Sequence, residues 1–129
     1  MLGGDEEAIL TRLTELGLSP ANYNGGGQLV VAGELAGLDA LASEPVKGTR
    51  VIPLQVAGAF HTSYMASVVA ALRDAVATVT PADPQITLWS NRDGSVVADG
   101  AQALSHLVDQ VSSPAVSYTH LTLPTKRIV

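Results

Sequence analysis

One stretch, residues 51–65, constrains this chain more than any other. The apolar run from Val51 to Val56 places Ile52, Leu54 and Val56 on one face, as a strand would. Beyond it, Met65, Val68, Val69, Leu72, Val76 and Val79 recur at the spacing of an amphipathic helix over residues 65–79. His61 therefore falls where a strand hands over to a helix, at the carboxyl edge where open α/β sheets hold ligands. The positive end of a helix disfavours an imidazolium and so favours the neutral ring that a general base needs. A histidine at a helix entry also serves simply to cap or to pack. Spacing alone leaves both readings open.

The residues before this stretch alternate between helix and strand signals. Asp5, Glu6 and Glu7 open a helix with an apolar stripe of Ile9, Leu13 and Leu16, and Gly17 is placed to end it. Residues 20–24 and 28–32 read as strands around the triplet Gly25-Gly26-Gly27. That triplet suits a hairpin turn. It is a poor phosphate loop, because no Lys-Ser/Thr pair and no helix start follow it. Leu35, Leu38 and Leu41 mark a short helix closed by Pro45 and Gly48, and residues 49–56 supply the next strand, with Pro53 at an edge or bulge. With a strand ending just before Leu2, the order becomes the β-α-β-β-α-β of a ferredoxin-like unit. Past the long helix, residues 86–90 read as a strand, Asn91-Arg92-Asp93-Gly94 as a turn, and Leu104, Leu107, Val108 and Val111 as a helix broken before Pro114. Trp89 is expected in the core, and His106 and His120 in solvent.

Composition removes several function classes. The chain has 129 residues, 47% hydrophobic and 15% charged, which is enough for a globular domain with a core. Its net charge is −5 and no basic cluster lies in its body, which argues against nucleic acid as a partner. It has no cysteine, so disulfides, thiolate catalysis and cysteine zinc sites are excluded, in keeping with a cytoplasmic location. No apolar run reaches the ~20 residues of a membrane span and no leader pattern opens the chain. The abrupt opening Met1-Leu2-Gly3-Gly4 reads as a start inside a domain.

Four segments carry a resemblance. Gly58-Ala59-Phe60-His61-Thr62, followed by Met65, is similar to the histidine motif of malonyl-CoA:acyl carrier protein transacylases. Residues 20–33 resemble that family's A-N-x-N-x-x-G-Q-x-V-x-x-G segment. Residues 88–94 and 108–114 resemble two more, in the family's order. The resemblance covers residues 1–114 and implies an α/β (α+β) fold. A ferredoxin-like small subdomain would occupy residues 1–56, its first strand truncated. Part of a larger α/β-hydrolase-like acyltransferase subdomain would occupy residues 57–114.

The function so implied is transfer of malonyl from coenzyme A to the phosphopantetheine thiol of acyl carrier protein, through a serine acyl-enzyme with His61 as the base. No cofactor and no metal are implied, and the parent enzyme is expected to be a monomer. Phe60 would set malonyl specificity by leaving no room for a methyl at the α-carbon; otherwise it is a core residue. Asn22, Asn24 and Gln28 would border the acyl cleft, or else form the turn they flank. The family's nucleophile lies in a G-x-S-x-G elbow, and no serine here has flanking glycines at that spacing. The chain thus reads as the later part of a roughly twofold longer enzyme, inactive by itself. Residues 115–129 match nothing in the family and read as a foreign tail, of the kind that sequencing-adapter read-through leaves. Two other readings stand beside this one: a fragment of a polyketide synthase acyltransferase domain, and a non-catalytic ferredoxin-like interaction module.

Overall fold

A computed structural model describes residues 1–116. Its first half packs two helices on one side of a small sheet. Helix α1 (Glu6–Glu15) starts at Asp5, whose carboxylate accepts from the backbone N–H of Ala8 at 2.9 Å, with Glu6 and Glu7 in the first turn. It stops at Gly17, whose φ of 64° only glycine adopts without strain. Strands β1 (Ser19–Gly25) and β2 (Gln28–Ala32) form an antiparallel hairpin around Gly26 and Gly27, both at positive φ. Helix α2 (Leu35–Ser43) follows and buries Leu41. Ile9 and Leu13 of α1 meet Leu18, Leu29 and Leu41 in the core, with Met1, Tyr23, Val31, Val46 and Val51 packed around them.

Two single-residue bridges extend this sheet. Leu2 pairs antiparallel with Gln28 on one side and with Arg50 on the other. On the far side of the hairpin, β5 (Ala115–Val116) runs parallel to β1, with Asn22 opposite Ala115 and Tyr23 opposite Val116. Spatial order is therefore Arg50, Leu2, β2, β1, β5. Ala115 and Val116 head the stretch expected to be a tail, yet they sit in the sheet, Ala115 only 2% exposed. The remainder of that tail, including His120, lies outside the described residues.

The second half departs from expectation at its start. Residues 51–56 form no strand. Arg50 is bridged, but Ile52, Leu54 and Val56 stand 44%, 60% and 69% exposed. A strand is defined by a neighbour, and Pro53 has no N–H to offer one. The helix expected over residues 65–79 is a 3-10 turn (Ser63–Met65) running into α3 (Ala66–Val76), and none of its side chains is buried. β3 (Leu88–Trp89) and β4 (Val96–Val97) make a small antiparallel ribbon around the turn at residues 91–94. Trp89, expected in the core, is 49% exposed. Helix α4 (Gly100–Gln110) lies against α3, tied by Arg73 to Asp109 at 3.1 Å. Among the described residues no helix is long and apolar enough to cross a membrane.

Candidate active site

His61 is reached through a tight reversal of the chain. It is the non-glycine residue with positive φ among those described, at 63°. Histidine is one of the side chains that tolerates this left-handed conformation, at a cost of order 1 kcal/mol that its surroundings must offset. Thr62 does part of that work. It is 3% exposed, its hydroxyl donates to the carbonyl of Ala59 at 2.6 Å, and its own carbonyl accepts from Met65 N–H at 3.0 Å. The reversal aims both the backbone and the ring of His61 at the last turn of α4. The His61 N–H donates to the carbonyl of Val111 at 3.0 Å, and Nδ1 lies 2.9 Å from the carbonyl oxygen of Gln110. A carbonyl can only accept, so this contact requires hydrogen on Nδ1; in the neutral ring that leaves the Nε2 lone pair for a substrate or nucleophile.

The end of α4 is placed by its beginning and its middle. Asp99 caps the helix by accepting from Gln102 N–H at 2.7 Å, and Asp83 accepts from Gly100 N–H at 2.9 Å. A side chain at Gly100 would collide with the carbonyl of Ala82. Four residues before Gln110, His106 Nδ1 lies 3.2 Å from the hydroxyl of Ser90, a 5% exposed serine at the end of β3. The Arg92 N–H donates to that hydroxyl at 3.1 Å, so the hydroxyl hydrogen is available for His106. His106 was expected in solvent. It instead locks α4 to the ribbon, and residues 16 apart in sequence gave no signal of that pairing. In the turn between β3 and β4, Ser95 donates to Asp93 from its hydroxyl at 2.7 Å and its backbone at 3.0 Å. These bonds, hydroxyl first, hold the Asp93 carboxyl below the usual range, with Arg92 and His106 adding to the effect.

A hollow of about 430 Å³ opens between the ribbon and α4, lined among others by Leu88, Trp89, Leu104, His106 and Gln110. Its wall is mostly apolar, and Gln110 connects it to the His61 carbonyl contact.

The other expected site residues lie in two places. Phe60 adjoins His61 and is 48% exposed, so it is not a core residue. Asn22 and Asn24 are on β1, where the Asn22 amide donates to Asn24 Oδ1 at 3.0 Å, and Gln28 opens β2, exposed. The hydrogen bonds of His61 run to α4 and not to these three amides. The link between the two groups is indirect: Asn22 pairs with Ala115, four residues beyond Val111.

No family model matches the chain. Individual relatives do. A malonyl CoA-acyl carrier protein transacylase of Mycolicibacterium smegmatis is 49% identical over 114 residues, covering 88% of this chain and 39% of its own length. The crystal structure of MCAT from Mycobacterium tuberculosis aligns with a TM-score of 0.85 and 47% identity, over 91% of this chain and 38% of that one. A malonyl-transacylase, PlMCAT, solved with the type II PKS acyl-carrier protein AntF, has the same fold at a TM-score of 0.83 and 24% identity. Nearly half identical in sequence and superposable in backbone, the chain belongs to the malonyl CoA-acyl carrier protein transacylase family, and it spans about two fifths of the length of the relatives it matches.

Proposed function

We propose that this chain supplies the general base, His61, of a malonyl-CoA:acyl carrier protein S-malonyltransferase. The observation that carries the reading is the ring geometry: Nδ1 is engaged by the Gln110 carbonyl and Nε2 is left to act. A serine nucleophile, from the part of a transacylase that this chain does not span, would give its proton to Nε2 while its oxygen attacks the malonyl thioester. The coenzyme A thiolate then leaves and takes that proton. In the second half, the phosphopantetheine thiol of acyl carrier protein gives its proton to Nε2 and attacks the malonyl ester, and the serine oxygen recovers the proton as it departs. In each half the ring becomes an imidazolium in passing. Its charge faces the carbonyl end of α4, the negative end of the helix. That helix end fills the role that a carboxylate has in a Ser-His-Asp triad.

Phe60, half-exposed beside His61, is proposed to limit the malonyl α-carbon to an unsubstituted one; one methyl is worth only ~1–3 kcal/mol of discrimination. Asn22, Asn24 and Gln28 are proposed to border the acyl cleft. The adjacency of Arg50, Leu2, β2 and β1 supports the finer reading of residues 1–56 as a ferredoxin-like subdomain, with residues 57–114 part of the larger one. The partners are malonyl-CoA and acyl carrier protein, in the cytoplasm.

Two measurements test the function. The chain by itself, incubated with malonyl-CoA, should show no malonyl adduct by intact mass, because no serine sits in an elbow. A chimera in which residues 1–116 replace the matching stretch of the Mycolicibacterium smegmatis transacylase should transfer malonyl to acyl carrier protein. A folded chimera that binds malonyl-CoA and transfers nothing would overturn the reading.

A further inference from the structure

Why the Gln110 carbonyl is available to His61 has an answer four residues downstream. In an α-helix each carbonyl accepts from the N–H four residues on. For Gln110 that residue is Pro114, which has no N–H. We propose that Pro114 is a positioning residue for His61: by withholding a hydrogen at this one place, it keeps the Gln110 carbonyl oxygen open to the imidazole. The inference rests on His61 being the general base.

Three observations fit together around it. Helix α4 ends at Gln110; Ser112 already bonds at shorter range, to the Asp109 carbonyl at 3.2 Å, and Pro114 leaves Gln110 with no donor four residues on. The Ser113 N–H reaches Gln110 O at 3.2 Å, the shorter-range bond that tightens helix ends, and a second lone pair of the same oxygen takes His61 Nδ1 at 2.9 Å. The Gln110 side chain then fixes the loop that makes this possible: its amide donates to the carbonyls of Ser113 at 3.0 Å and Pro114 at 3.1 Å. Val111 follows the same logic. Its helical partner would be Ala115, which is drawn into β5 beside Asn22, and the Val111 carbonyl accepts from the His61 backbone instead. At the end of α4 a proline and a strand thus leave two carbonyls without a helical donor four residues on, and His61 occupies both.

Alanine at 114 would restore an N–H four residues after Gln110. The helix could add a bond, and the carbonyl would turn toward that donor and away from the ring. Released from its acceptor, Nδ1 would no longer be biased toward carrying the hydrogen.

The experiment reads the His61 tautomer directly, in the full 129-residue chain labelled with ¹⁵N-histidine, at about pH 8, where an ordinary imidazole is neutral. Three proteins are compared: the unaltered chain, Pro114→Ala, and Pro114 replaced by lactic acid, an ester that removes the ring but still offers no N–H. The unaltered chain should show hydrogen mainly on Nδ1. Pro114→Ala should lower the ratio of Nδ1–H to Nε2–H by roughly fivefold, the shift that losing one hydrogen bond brings. The ester should keep the original ratio. Equal losses in both variants, including unfolding of both, would show that the proline ring and not the missing hydrogen matters, and would overturn the proposal. So would an alanine variant that keeps the ratio, or an unaltered chain without the Nδ1 preference. If only the alanine variant unfolds, the ester ratio decides between the same two outcomes. No acyl transfer is read, so failure here leaves the general-base assignment to its own test.

Discussion

The ring of His61 and the main chain of Gln110 meet at 2.9 Å although 49 residues separate them. The contact joins the entry of one helix to the exit of another. The entry sets direction: a left-handed φ at His61 and the Thr62 hydroxyl on Ala59 shape the turn from which the ring reaches Gln110. The exit supplies the acceptor, and an uncharged one. A base held by a carboxylate is stabilised by a full charge when protonated; a base held by a helix end has only partial charges and must be placed more accurately to gain as much. Helix α4 is held along its length, by Asp83 and Asp99 at its start, by Ser90 at His106, by Arg73 at Asp109 and by the Gln110 amide at its end.

The first prediction concerns the ring alone. His61→Asn suits the test better than alanine, because asparagine also accepts a left-handed φ and its amide can still donate to Gln110. In the chimera, acylation measured by rapid quench should fall by the ~10²–10⁴-fold of a lost general base. Malonyl-CoA binding should change little. Acylation within a few-fold of the parent would reduce His61 to a turn residue.

The second prediction concerns His106 and Ser90. If their bond locks α4 to the ribbon, His106→Ala leaves a buried hydroxyl without its acceptor and should destabilise the chain by ~1–3 kcal/mol. Ser90→Ala should also destabilise, and the double variant should cost less than the two single losses added together, because the interaction is lost only once. Thermal or urea unfolding of the four proteins gives the coupling. Strict additivity would mean that the 3.2 Å contact contributes nothing.

What the sequence disclosed and what it did not divide along a physical line. The Asp5 cap, the Gly25-Gly26-Gly27 turn and the Leu35, Leu38, Leu41 stripe are decided within a few residues, and each appears where the pattern places it. Residues 49–56 carry strand composition but no strand, since pairing depends on a neighbour that composition does not specify. The same holds at the site. His61 was legible because its motif is local. Its acceptor, the Gln110 carbonyl, lies 49 residues away, and no local pattern announces it. Ser90 and His106 were not legible as a site: Ser90 was read only as the end of a strand, and His106 was expected in solvent. Asn22, Asn24 and Gln28 were legible as a hairpin, and their tie to His61 runs only through β5.

A pH prediction follows from Asp93. Its carboxyl titrates below the ordinary value because Ser95 bonds the charged form. A depressed carboxyl stabilises the fold above the unfolded-state value of ~3.9, and that contribution is lost as pH falls through the lower folded value. The acid limb of stability, below about pH 4, is where it should show. Ser95→Ala should move the Asp93 carboxyl up toward the ordinary value in a ¹³C NMR titration, while leaving stability near neutral pH almost unchanged because the turn is exposed. A carboxyl that does not move would assign the shift to the Ser95 backbone N–H, which alanine keeps, rather than to the hydroxyl.

The last prediction concerns the face left open beside the site. Ile52, Leu54 and Val56 stand 44%, 60% and 69% exposed, Phe60 and Tyr64 follow at 48% and 47%, and α3 buries none of its side chains. Soluble monomers rarely leave so continuous an apolar stretch uncovered, and an unpaired extended segment is itself a template for pairing. The chain spans about two fifths of its relatives' length, and further chain is expected to cover this face in a whole transacylase. By itself the chain should self-associate and bind a hydrophobic dye. Leu54→Lys should shift sedimentation toward the monomer and reduce dye binding, with unfolding free energy changed by no more than ~0.5 kcal/mol, as for a surface position. In the chimera the same lysine should be costly, by ~2 kcal/mol or more, because there it would be buried without a partner. Equal tolerance in both proteins would show that residues 52–56 stay exposed in the complete enzyme. Equal cost in both would show that the fold of the isolated chain already buries them.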